Sequence, residues 1–116
     1  GDAAGSLAIL NALRAAPPKL GEVQATAAGL PPLTQAATTA EAVDQFFREK
    51  AFWTYSRGQR LGDLRRLMRQ YGRSQASTYP TGDHYRGGTY GTDVVFQVPF
   101  DERNNPSYKG CTDRLP

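Results

Sequence analysis

The sequence predicts a mainly α fold on three observations. Residues 38–72 form a capped, amphipathic helical stretch, residues 2–15 repeat that pattern on a smaller scale, and only residues 93–100 read as a strand. A chain of 116 residues makes at most one domain, and with 39% hydrophobic residues, 12 Gly and 8 Pro it buries a modest core. The apolar residues gather near 7–13, 43–71 and 94–100, and the stretches between them read as long ordered loops. Loops of that length are unusual in a compact domain and are expected of a portion cut from a larger protein.

Residues 1–16 form the first element. Asp2 is a suitable N-cap for a helix to about Ala15, with Leu7, Leu10 and Leu13 on one side and Ala8 and Ala12 beside them. Pro17 and Pro18 end it. Asn11 and Arg14 lie three residues apart and share a face, where they either anchor neighbouring backbone or stay in solvent. Residues 17–37 are a link rich in Pro, Ala and Thr. Within it Leu30, Pro31, Pro32 and Leu33 read as an extended segment, and two leucines beside two prolines argue for docking on a surface.

Residues 38–73 open with a capping box, Thr38 and Glu41, followed by Val43, Phe46, Phe47 and Ala51 at helical spacing. Phe52, Trp53 and Tyr55 widen the apolar surface. After Gly58 the period restarts with Leu61, Leu64, Leu67, Met68 and Tyr71, and Gly72 offers a left-handed stop. The stretch is therefore two helices, or one bent near Gly58. Arg60, Arg65, Arg66, Arg69 and Arg73 fall mostly outside the stripe and carry most of the net charge of +3. A basic helix can bind nucleic acid or an anionic membrane, but the base-reading and RNA-binding patterns are missing. The arginines are read instead as solvated or paired with Asp44, Glu49 and Asp63, and no nucleic-acid partner is expected. Asp63 is placed to pair with Arg60 or Arg66, one turn or less away.

Residues 74–116 begin with a glycine-rich aromatic loop, SQASTYPTGDHYRGGTYGT. Tyr and His present a flat face and a hydrogen-bonding tip, which suits carbohydrate or peptide contact and equally suits an ordered loop covering the helices. In the first reading Tyr79, Tyr85 and Tyr90, with Trp53 behind them, stack on sugar C–H faces while Asp83 or His84 bonds hydroxyls. Residues 93–100 follow as the strand-like run, stopped by Pro99, and then a turn built on Asn105 and Pro106.

Catalysis is not expected. The common nucleophile, metalloprotease and phosphate-loop motifs are missing, and Asp83–His84 has no matching nucleophile. One Cys and one His make no metal site, so neither metal nor cofactor is expected. Cys111 is either a free thiol or the partner of a cysteine upstream of residue 1. No run reaches the roughly 18 apolar residues that span a bilayer, and the first ten residues lack the basic start of a signal peptide.

The order of these pieces resembles the C-terminal part of the SusD/RagB family, surface nutrient-binding lipoproteins that work with TonB-dependent outer-membrane transporters. A helix bearing N-x-x-R is matched by Asn11 and Arg14. The family's E-R…E-G-x-R-x-x-D-L-x-R helix is matched by Glu49, Gly58, Arg60, Asp63, Leu64 and Arg66, with Lys50 and Arg57 as departures. Its terminal apolar-Pro segment and N-P turn are matched by Val98, Pro99, Glu102, Asn105 and Pro106, with KGC in place of the usual ending. The resemblance implies tetratricopeptide-like helix pairs and a structural role for the matched residues. It also implies an outer-membrane surface location, with a lipid anchor upstream of this chain. A non-catalytic role follows, capturing an oligosaccharide or similar nutrient for the transporter, and the upstream part of the same protein would be a partner. The rival expectation is a self-assembling structural protein, a homo-oligomer or filament anchored by Phe46, Phe47, Trp53 and Leu61.

Overall fold

The computed structural model describes residues 2–15, 19–20, 23–24 and 29–110. The protein is mainly helical and divides into two compact units, Gly1–Tyr55 and Ser56–Pro116. Cys111 and the residues after it lie outside the described residues.

The first unit begins with α1 (Ala3–Ala15), capped as its sequence predicts: the Gly5 N–H donates to Asp2 Oδ1 at 2.8 Å. Leu10 is buried and Leu7 and Leu13 are half-buried on its inner side. A short antiparallel strand pair follows, β1 (Lys19–Leu20) with β2 (Val23–Gln24), Lys19 opposite Gln24. The sequence reading placed only a link here, because two-residue strands are too short for alternation to register.

α2 (Thr39–Trp53) starts at the expected capping box. Glu41 N–H donates to Thr38 Oγ1 at 3.2 Å, and Glu41 Oε2 accepts from the Thr38 N–H at 3.1 Å and the Ala37 N–H at 2.9 Å. α1 packs on α2. Phe47 on α2 is buried, at 3% exposure. Its ring meets Phe46 edge to face, with centroids 5.4 Å apart. Phe47 is therefore core and not the interface anchor that self-assembly would require.

Residues 30–34 dock on this helix pair, and polar side chains do the holding. Asn11 Oδ1 accepts from the Leu33 N–H at 2.7 Å while Asn11 Nδ2 donates to the Leu33 carbonyl at 3.1 Å. Arg14 Nε donates to the Pro31 carbonyl at 2.8 Å, and the Leu30 N–H donates to the Arg14 carbonyl at 3.2 Å. Gln45 on α2 donates to the Thr34 carbonyl at 3.0 Å. Proline matters twice here, since it pre-sets an extended backbone and leaves carbonyls that need donors. Of the two readings left open for Asn11 and Arg14, the anchoring one holds.

The second unit opens with α3 (Arg60–Tyr71), separated from the end of α2 by a turn, so residues 38–73 hold two helices and not one bent helix. Leu64 and Leu67 are buried, Leu61 and Met68 half-buried, and Arg60, Arg66 and Arg69 lie exposed on the other side. Gly72 takes φ 64°, and its N–H and that of Arg73 both bond the Leu67 carbonyl, which is the stop its residue type predicts. α3 packs on α4 (Gln75–Thr78), a single turn capped by Ser74.

Residues 93–99 form no strand. Val94, Val95 and Val98 are half-buried, but among the described residues the second unit contains no strand to offer them a ladder, and residues 100–104 turn into a 3₁₀ helix, η1 (Phe100–Asn104). β-branched composition marks a half-buried extended chain here without making a sheet. The turn after η1 forms as expected: Asn105 Oδ1 accepts from the Ser107 N–H at 2.9 Å and its carbonyl from the Tyr108 N–H at 2.9 Å.

Asn11→Ala removes a donor and an acceptor at once and leaves both Leu33 backbone groups unpaired. It should lower the unfolding free energy by about 2 kcal/mol in urea titrations, and Asn11→Asp, which keeps the acceptor, by less. Unchanged midpoints in both variants would mean that other contacts hold the link.

Candidate functional site

The glycine-rich loop forms a closed hairpin on a fastened base. Gln75 Nε2 donates to the Thr92 carbonyl at 2.7 Å, and the Tyr79 hydroxyl donates to the Val94 carbonyl at 3.1 Å, tying the two ends of the loop together. Above them the Tyr90 N–H donates to the Gly82 carbonyl at 2.9 Å and the His84 N–H to the Gly88 carbonyl at 2.8 Å, around an isolated bridge between Asp83 and Thr89. The chain reverses because Gly87 and Gly88 take φ of 95° and 76°, a region that L side chains resist. Open space surrounds both, so backbone conformation and not crowding requires glycine there.

This turn gathers three of the five residues expected to contact a ligand. The His84 ring lies 4.6 Å from Tyr85 and 5.0 Å from Tyr90, the latter edge to face. Tyr85 is 80% exposed, Tyr90 is exposed and His84 is half-buried between them. His84 Nδ1 accepts from the Arg86 N–H at 3.2 Å, so the neutral ring carries its proton on Nε2, where it can donate to a ligand hydroxyl. An acceptor at Nδ1 also leaves Asp83 no Nδ1–H to orient, and the base-and-orienter pairing of Asp83 with His84 is not built through that nitrogen.

Arg86 was not among the expected contacts. Its guanidinium carbon sits 5.4 Å from the centre of the Tyr85 ring. The signal available in the sequence was only its adjacency to Tyr85.

Tyr79 has a different task. Its hydroxyl is committed to Val94, and burial pushes its pKa above the ordinary tyrosine value against a smaller opposing pull from Arg65. It is part of the hairpin's base and holds the rings without joining them.

Trp53 belongs to the first unit. There, with Arg14, Leu30, Asp44, Arg48 and Phe52, it lines a cleft of about 930 Å³. Glu49 at the same cleft is 6% exposed and takes an ion pair from Arg14 at 2.8 Å. Of the residues expected to be structural, Arg14 and Glu49 thus meet directly, and Asn11 holds Leu33, which lines the same cleft. In the second unit Asp63 is buried in the first turn of α3, where a helix N-terminus favours a carboxylate, while Arg60 and Arg66 are exposed. Pro99 caps η1, and Asn105 and Pro106 make the turn beyond it.

Among the described residues no group of His, Cys, Asp and Glu could hold a metal ion, and no helix is long and apolar enough to cross a membrane. No protein-family model, curated protein or solved structure matches this chain.

The Tyr79 hydroxyl predicts an alkaline weakness. Because its folded pKa is raised, the unfolded chain gives up this proton first, so the stability it adds is complete below the ordinary tyrosine pKa and drains away as pH rises through the folded value. Tyr79→Phe should be less stable than wild type near pH 8, and the gap between the two melting temperatures should close above about pH 10. A gap independent of pH would show that the hydroxyl stays protonated or contributes nothing.

Proposed function

We propose that this chain binds an oligosaccharide or similar nutrient without catalysis, as part of a SusD/RagB-like protein at the bacterial outer-membrane surface. In that reading it hands its ligand to a TonB-dependent transporter. The observation that carries the binding half is the exposed ring cluster of His84, Tyr85 and Tyr90 on a fastened hairpin. Sugars present C–H faces that need flat apolar partners and hydroxyls that need donors and acceptors. The tip offers two tyrosine rings, two phenol hydroxyls and an imidazole N–H. The fastened base means that little backbone ordering opposes binding.

The family half is supported by the matched residues. Arg14 and Glu49, 35 residues apart, pair with each other, and Asn11 holds Leu33 against the helix that carries Arg14, as a shared structural motif requires. Phe96 and Phe100 are 87% and 74% exposed, which suits rings that rest against the upstream part of the same protein.

On an array of neutral and charged oligosaccharides the chain should retain a subset, and Tyr85→Ala and Tyr90→Ala should each weaken the retained interaction by about tenfold, or about 1.4 kcal/mol. Retention that ignores both substitutions would remove the hairpin from the reading. An antibody against residues 38–72 should find the native protein in the outer-membrane fraction, and recovery elsewhere would remove the transporter.

The same exposed phenylalanines favour a second reading, self-association into a homo-oligomer. With Phe47 in the core, its anchors would be Phe52, Phe96 and Phe100. Sedimentation would then give a defined oligomer that disperses on Phe96→Asp with Phe100→Asp, whereas a monomer at all concentrations would dismiss it.

A further inference from the structure

The hairpin tip holds a cation against the ring that a sugar would use. Arg86 is exposed, its backbone N–H is fixed by His84 Nδ1, and its guanidinium lies over Tyr85. Among the described residues no carboxylate pairs with that guanidinium. A neutral sugar that stacks on the ring face under Arg86 displaces the cation and offers it only hydroxyl oxygens, neutral acceptors, in exchange. A sugar bearing a carboxylate replaces the lost ring contact with a planar, charge-assisted pair, which a guanidinium matches in geometry as well as in charge.

We infer that the tip selects acidic oligosaccharides, with Tyr85 stacked on the sugar ring and Arg86 paired with the carboxylate of the same or the neighbouring residue. This rests on the glycan-binding reading of the hairpin. The distribution of charge acts in the same direction. The unit Ser56–Pro116 holds ten of the 14 Lys and Arg and six of the 11 Asp and Glu, a formal +4, against −1 for Gly1–Tyr55. Screening confines that wider field to about 10 Å at ordinary ionic strength, so it assists approach while Arg86 makes the discrimination.

The test is calorimetric titration of the whole chain with an α-1,4-linked galacturonate tetrasaccharide and with the neutral galactose tetrasaccharide of the same linkage, at fixed ionic strength. The acidic ligand should bind about tenfold more tightly. Arg86→Gln should bring it to the level of the neutral ligand, while the neutral ligand binds the variant as well as wild type or better, its ring now uncovered. Lys109→Gln, which removes the same formal charge from an exposed position of the same unit, should keep the preference. Equal affinities in wild type that both fall on Tyr85→Ala would overturn the selectivity and leave glycan binding standing. A preference that survives Arg86→Gln would overturn it as well, and binding of neither ligand would overturn both readings.

Discussion

One guanidinium ties together three separate segments of the first unit. Arg14, in the last turn of α1, donates to the Pro31 carbonyl and to Glu49 on α2, each at 2.8 Å. Three segments far apart in sequence are thereby fixed at one point, and Glu49 gains the cation that a nearly buried carboxylate needs. The planar fork makes this possible, since its donors point in different directions within one rigid plane, which a lysine ammonium cannot imitate. The unit has few fully buried hydrophobics, Leu10 and Phe47 among the described residues. Directional bonds from Asn11, Arg14 and Gln45 specify where residues 30–34 lie, and the sparse core alone would leave that open.

Much of this was legible because the signals were local. Thr38 with Glu41, Gly72 after a leucine stripe and Asn105 before Pro106 each act within a turn of themselves, where residue type nearly dictates geometry. Docking of residues 30–33 was readable too, from leucines set among prolines, although its agents could only be named as candidates. What failed depended on distant partners. Residues 93–99 have the composition of a strand but, among the described residues of that unit, no strand to pair with, so the same valines end half-buried outside any ladder. Phe47 and Phe46 share one apolar pattern, yet tertiary packing buries Phe47 and leaves Phe46 half-buried. The five aromatic residues grouped by composition divide by position: three meet at the hairpin tip, Tyr79 is spent at its base, and Trp53 lines the other unit's cleft. Arg86 escaped notice because a cation's meaning is set by the ring under it, and sequence adjacency does not place it there.

The site and its support are built from different kinds of bond. At the base, side chains of Gln75 and Tyr79 reach across to main-chain carbonyls, and in the upper hairpin the bonds are main chain to main chain. At the tip, the contacts are ring on ring and cation on ring, which are weaker and less directional. The rings are therefore freer to shift than the backbone beneath them.

That division has an evolutionary consequence. The carbonyls of Thr92 and Val94 that fasten the base are present whatever side chains those positions carry. The side chains of residues 84–86 are likewise absent from the bonds that close the base. Drift in those three letters, provided the two glycines after them persist, changes the surface at the tip and leaves the bonds that close the base in place. The side chains of the tip are thus the part of the hairpin most open to substitution, because the base beneath them constrains main chain and not residue type.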